Sequence, residues 1–194
     1  KIYTFVLYLW YRMDVLKKYS IAHKGLGMGA HRFEFEVDDR FFEAFEGSEI
    51  RKGSAKATVE MDKQSDRLSL RIGIRGEATV ECDRCLDELT LPVEYDGTLC
   101  VRYGQTENES DGEVMWIGPG ETEIPLAQYI YESICLSLPC QRVHPDDEHG
   151  RSTCDPDMLG RFRIVSEEEF DGMAASAERG ASPWDKLKEI KTGE

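Results

Sequence analysis

Polar and apolar side chains alternate over residues 31–37, His-Arg-Phe-Glu-Phe-Glu-Val, with the two-residue period of a strand that buries one face. Asp38 or Asp39 then stands where a helix cap belongs, and Phe41, Phe42 and Phe45 share one face of a short helix over 40–45. Three more strands are predicted at 54–62, 67–74 and 76–81, with Gln64, Ser65 and Asp66 turning the chain between the first two. Gly73 and Gly76 interrupt the alternation of Leu68, Leu70, Ile72 and Ile74, and glycines inside such a pattern mark bulges or bends that curl a sheet. Residues 89–103 read as a long strand whose Pro92 puts its beginning at an edge, and 113–117 as another. The intervening 104–112 are polar and acidic.

Leu126, Tyr129, Ile130, Ile134 and Leu138 fall at helical spacing, proline opens the segment at 125, and Pro139 ends it. Strands follow one another without helices between 54 and 103, which excludes a parallel doubly wound sheet. The expected fold is therefore α+β: a coiled or barrel-like antiparallel sheet of five to six strands, covered by one main helix, with a C-terminal tail. Phe33, Phe35, Leu68, Leu70 and Ile134 are its expected core. Residues 1–14 are assigned to an N-terminal extension, 15–165 to the α+β domain, and 166–194 to an acidic linker and short terminal helix anchored by Trp184, Leu187 and Ile190. The apolar run 2–11 is too short to span a bilayer and is followed by no small-residue cleavage site, so neither a membrane helix nor a secretory leader is expected. Met13 offers an alternative start.

Charge changes this picture regionally. The chain carries 24 Lys and Arg against 38 Asp and Glu, a net charge of −14. Residues 1–80 hold 14 basic and 12 acidic groups, whereas 81–123 hold 2 and 12. The second surface would repel phosphates, so an RNA contact falls to the first half or is mediated by a protein.

Six cysteines, at 82, 85, 100, 135, 140 and 154, accompany an apolar reserve of 40%, which suits a reducing cytoplasm better than a disulfide-stapled scaffold. Cys100 and Cys135 lie in apolar runs and read as small packed side chains. Cys82 and Cys85, separated by two residues at a strand end, can grip one tetrahedral ion, with His144 and Cys154 completing three sulfurs and one nitrogen. Nine residues separate His144 from Cys154, longer than a second knuckle usually allows, and Cys140 is a rival fourth ligand. The alternative is a set of reduced thiols without metal. A redox dithiol is disfavoured because Glu81, Asp83, Asp87 and Glu88 oppose thiolate formation. Gly25, Gly27 and Gly29 precede a strand and not a helix, which removes a phosphate loop. No serine sits in a nucleophile elbow and no histidine pair has metalloprotease spacing.

Phe33 to Val37, Asp38-Asp39-Arg40-Phe41-Phe42, Cys82-Asp83-Arg84-Cys85-Leu86, Ser137-Leu138-Pro139, His144-Pro145, Cys154-Asp155-Pro156 and Pro183-Trp184-Asp185-Lys186-Leu187, in this order, resemble the bacterial YceD family. The resemblance spans roughly residues 15–190. It implies a noncatalytic, cytoplasmic role in accumulation of large-subunit ribosomal RNA, with no catalytic residue and no small-molecule substrate. Some relatives resemble a fuller zinc protein, from which this chain departs by having His144 and a single Cys154 in the second arm. The expected cofactor is one structural zinc. The expected partner of a monomer is large-subunit ribosomal RNA or a basic ribosomal protein, with Arg84 and Arg142 as candidate contacts because a guanidinium can fork onto phosphate. The same two arginines also suit surface ion pairs. A zinc-stabilised protein-binding module without RNA contact and a metal or thiol enzyme are the competing classes.

Overall fold

In the computed structural model, residues 2–104, 114–118, 120–161 and 169–171 are described, the first eight of them by backbone alone. Helix α1 (Ile2–Lys17) leads through strand β1 (Ser20–Ala22) into β2 (Gly29–Val37), then α2 (Asp39–Glu43). Strands β3 (Lys52–Lys63), β4 (Arg67–Glu81), β5 (Glu88–Tyr103), β6 (Val114–Ile117) and β7 (Glu123–Pro125) follow. Helices α3 (Ala127–Ser137) and α4 (Pro156–Leu159) come last. Contacts cluster into two units, Lys1–Cys154 and Asp155–Glu194. In the second, Asp155 caps α4 by accepting from the Asp157 amide. The predicted terminal helix and most of the acidic linker lie outside the described residues.

The main sheet has the order β2-β3-β4-β5-β6, and β1 pairs with β7 in a separate two-stranded ladder. The first four strands are antiparallel neighbours, as the alternation implied. β6 instead runs parallel to the end of β5, so the sheet is mixed and not wholly antiparallel. A tight hairpin would have forced antiparallel pairing, but ten residues separate Tyr103 from Val114 and leave the direction free. Among the described residues β2 and β6 are unjoined edges, so closure into a barrel is not seen.

The segments predicted as two strands at 67–74 and 76–81 are one strand. β4 keeps a single register with β3 from Lys52↔Thr79 to Lys63↔Leu68, so of the bulges or bends expected from its glycines no bulge is present. Leu68, Leu70, Ile72, Ile74, Ala78 and Val80 are all fully buried, so one apolar face runs through the interruption. Gly76 has a steric task within that face. A Cβ there would lie 2.4 Å from the Cα of Ala55, its cross-strand partner, and 2.2 Å from the Ser54 carbonyl oxygen. Side chains of a flat sheet point away from the opposite backbone, so this approach marks a sharp fold in the ladder. Pro92 lies on the part of β5 that β6 leaves uncovered, which is where a residue without an amide hydrogen fits.

Asp38 caps α2 by accepting from the Phe41 amide, and Phe41 and Phe42 are fully buried. α3 buries Ala127, Ile130, Ser133 and Ile134, while Tyr129 reaches β5 through a 2.8 Å hydrogen bond between its hydroxyl and that of Tyr95. Phe33 and Phe35 are only half-buried because β2 is an edge strand, whereas Leu68, Leu70 and Ile134 are core residues as expected. α3 is not the single main helix: α1 is longer, at 16 residues against 11. α1 also continues through residue 14, joining the apolar run to Val15, which is buried. No helix among the described residues is long and apolar enough to cross a membrane.

Candidate metal centre

β4 and β5 are joined by the six residues 82–87, and the last rung of their ladder is Glu81↔Glu88. The turn closes through the Cys82 amide on the Asp87 carbonyl, 2.8 Å, and the Leu86 amide on the Cys82 carbonyl, 2.9 Å. Leu86 sits at φ 63°, the one non-glycine residue in the left-handed region among those described. That conformation costs a residue with a Cβ roughly 1–2 kcal/mol. The turn folds back far enough to bring both sulfurs inward: Cys82 and Cys85 are buried.

The second arm leaves α3 at Pro139. It docks by a reciprocal pair, with the Asp83 amide donating to the Arg142 carbonyl and the Arg142 amide donating to the Asp83 carboxylate, both 2.7 Å. Two residues later His144 reaches the knuckle. The long spacing to Cys154 is taken up by a turn: Asp146 bridges Ser152, and the Asp147 carboxylate accepts from the His149 and Arg151 amides. Gly150, at φ 74°, makes the reversal without a Cβ clash. Cys154 therefore returns beside His144 despite the nine intervening residues.

One ligand atom from each of Cys82, Cys85, His144 and Cys154 lies within 4.8 Å of the others. The Sγ atoms of Cys82 and Cys154 are 3.8 Å apart, while His144 Nδ1 stands 3.4 Å from Cys85 Sγ and 3.8 Å from Cys154 Sγ. Tetrahedral ligands at zinc bond lengths keep sulfurs about 3.8 Å apart and sulfur about 3.6 Å from nitrogen. The donor set fits a metal ion. His144 Nε2 is 3.2 Å from the Glu88 carbonyl oxygen, an acceptor that keeps the proton on Nε2 and turns Nδ1 toward the sulfurs.

Electrostatics favour charged sulfur here despite the acidic flank. Burial opposes the Cys82 thiolate, but the backbone amides of Cys85, Arg84 and His144 outweigh it and bring the thiol down to about 6. Cys154 is lowered chiefly by the Ser152 hydroxyl, against its burial, with His144 adding to the effect. Burial works against protonation of His144, yet the Cys154 and Cys82 sulfurs raise its pKa. Carboxylates near the turn are occupied elsewhere: Glu81 pairs with Arg51 and Glu88 with Lys52.

Cys140, the rival ligand, is exposed and lies outside the group; Cys100 and Cys135, half-buried, lie outside it too. Of the two candidate contact residues, Arg84 is exposed and donates to the Ser152 hydroxyl at 3.1 Å. Arg142 is more covered and pairs with Glu49 at 2.6 Å. Asp83, Glu49, Ser152 and the Glu88 carbonyl were not predicted as site residues. Each acts by spatial position, and nothing in its local sequence spacing announces it.

A family described as "Large ribosomal RNA subunit accumulation protein YceD" matches residues 70–191, well over half of the chain. The chain belongs to the YceD family. The YceD match begins within β4 and contains all four clustered ligands as well as both candidate contact arginines. No curated protein and no solved structure matches the chain.

Proposed function

We propose that this YceD-family protein is a noncatalytic, cytoplasmic factor that supports accumulation of large-subunit ribosomal RNA, acting as a monomer that holds ribosomal RNA or a basic ribosomal protein. The carrying observation is the family match, whose description names large ribosomal RNA subunit accumulation and whose span includes the whole ligand group. The group is read as one structural zinc site made by Cys82, Cys85, His144 and Cys154. Three sulfurs and one nitrogen close a tetrahedron and leave no position for a reactive water, which supports a scaffold over an enzyme. The metal would fasten the residues after α3 to the β4–β5 turn, presenting Arg84 and the acidic flank as one surface. Arg84 has the exposure that a contact requires. Arg142 would have to release Glu49 to serve as one.

Depletion of the protein in growing cells, followed by gradient separation of ribosomal subunits, tests the role. The large subunit is expected to fall relative to the small. Replacing Cys82 and Cys85 together by serine is expected to reproduce that profile, and elemental analysis of the purified protein to find about one zinc per chain. Unchanged subunit ratios, together with crosslinked material that contains neither ribosomal RNA nor ribosomal protein, would remove the proposal.

A further inference from the structure

Leu86 combines two properties that a leucine kept for packing does not show. Its side chain is 58% exposed, and its backbone is held at φ 63°, where glycine is the favoured residue. Neither the core nor the turn geometry accounts for a large apolar side chain there. The turn is nevertheless held firmly, by the Cys82 and Leu86 amides within it and by the Asp83–Arg142 pair and the Arg84–Ser152 hydrogen bond across it. An exposed apolar group on a braced tip is pre-organised for contact, because little freedom remains to be lost on binding.

We propose that Leu86 is the apolar anchor by which the knuckle binds a basic protein, inserting into a socket ringed by Lys and Arg. Charge selects this partner. Residues 81–88 carry four carboxylates, of which Glu81 and Glu88 are held by Arg51 and Lys52, and the second arm adds Asp146, Asp147 and Glu148. Asp83, Asp87 and these three outnumber the arginines of the same two segments, Arg84, Arg142 and Arg151, of which Arg142 is itself held by Glu49. Such a rim attracts a basic protein surface and repels a phosphate backbone. A leucine tip also lacks the flat ring on which an unpaired base would stack. The inference rests on the assembly-factor reading and narrows its partner from RNA or protein to protein.

The test uses immobilised full-length protein and two probes: RNA-free total protein of the large ribosomal subunit, and protein-free large-subunit RNA. Wild type is expected to retain one or more basic proteins, less as salt rises, and Leu86→Gly and Leu86→Asn to retain less than a tenth as much. Both variants suit the left-handed backbone, so their Tm is expected to equal or exceed that of wild type. Equal protein retention by wild type and variants overturns the anchor and leaves the assembly role standing. Leu86-dependent retention of RNA overturns the choice of partner, and a fall in Tm of both variants assigns Leu86 to the fold. Retention of neither probe by wild type overturns this inference and the assembly reading together.

Discussion

Tyr19 shows how one side chain ties the first helix to the sheet. It is buried, its ring lies 4.5 Å from that of Phe41, and its hydroxyl donates to the Glu36 carbonyl at 2.8 Å. Burial, reinforced by the Asp38 carboxylate, pushes its pKa up to about 12 from an ordinary 10.0. The fold therefore keeps the neutral phenol at a pH where the unfolded chain has released its proton. The resulting stability is fully present below the unfolded value and is lost as pH rises from about 10 to about 12. Tyr19→Phe should cost about 1 kcal/mol near neutrality, from the lost hydrogen bond. Across the alkaline window its Tm should fall less steeply than that of wild type, and thermal melts of the two proteins at matched pH measure the difference.

At the scale of elements, α3 divides its leucines and isoleucines by function. Ile134 is fully buried, whereas Leu136, two residues on and on another face, is 81% exposed. Ile134→Ala should destabilise by about 3 kcal/mol through lost burial and a residual cavity, while Leu136→Ala should stay within about 0.5 kcal/mol of wild type. Urea unfolding of both variants checks the pair, and equal costs would contradict the orientation of the helix. The same spacing that made this helix readable is lost in the unbroken apolar run of residues 2–11, which gave no helical period to read.

For the molecule as a whole, the ligand group closes a loop that the sheet does not need for its own core. Leu68, Leu70, Ile72 and Ile74 of β4 are buried, and β4 is laddered between β3 and β5. If the proposed zinc is bound, chelation should loosen the arm selectively. Hydrogen exchange of the Cys82, Asp83 and Arg142 amides, all bonded within or across the knuckle, is expected to speed up on metal removal. Amides in the β3–β4 ladder should remain protected. Uniform loss of protection would mean that metal and sheet form one cooperative unit.

The sequence by itself determined the strands at 31–37 and 67–74, an aspartate cap at 38 or 39, the helix through Ile134 and the residue types of the candidate ligand group. Each is set by neighbours within a few positions, where alternation, helical spacing or a two-residue cysteine gap carries the physical signal. Tertiary structure decided what depends on distant chain. Gly76 looked like a break because its close approach to Ala55 comes from a strand some twenty residues away. The direction of β6 and the three-residue ladder of β1 with β7 have no periodic signature of their own, being too short to show one. His144 and Cys154 could be named but not joined from spacing alone. Their meeting required the Asp147 turn to fold nine residues back on themselves and the Asp83–Arg142 pair to dock that arm on the knuckle, contacts that only the folded chain can make.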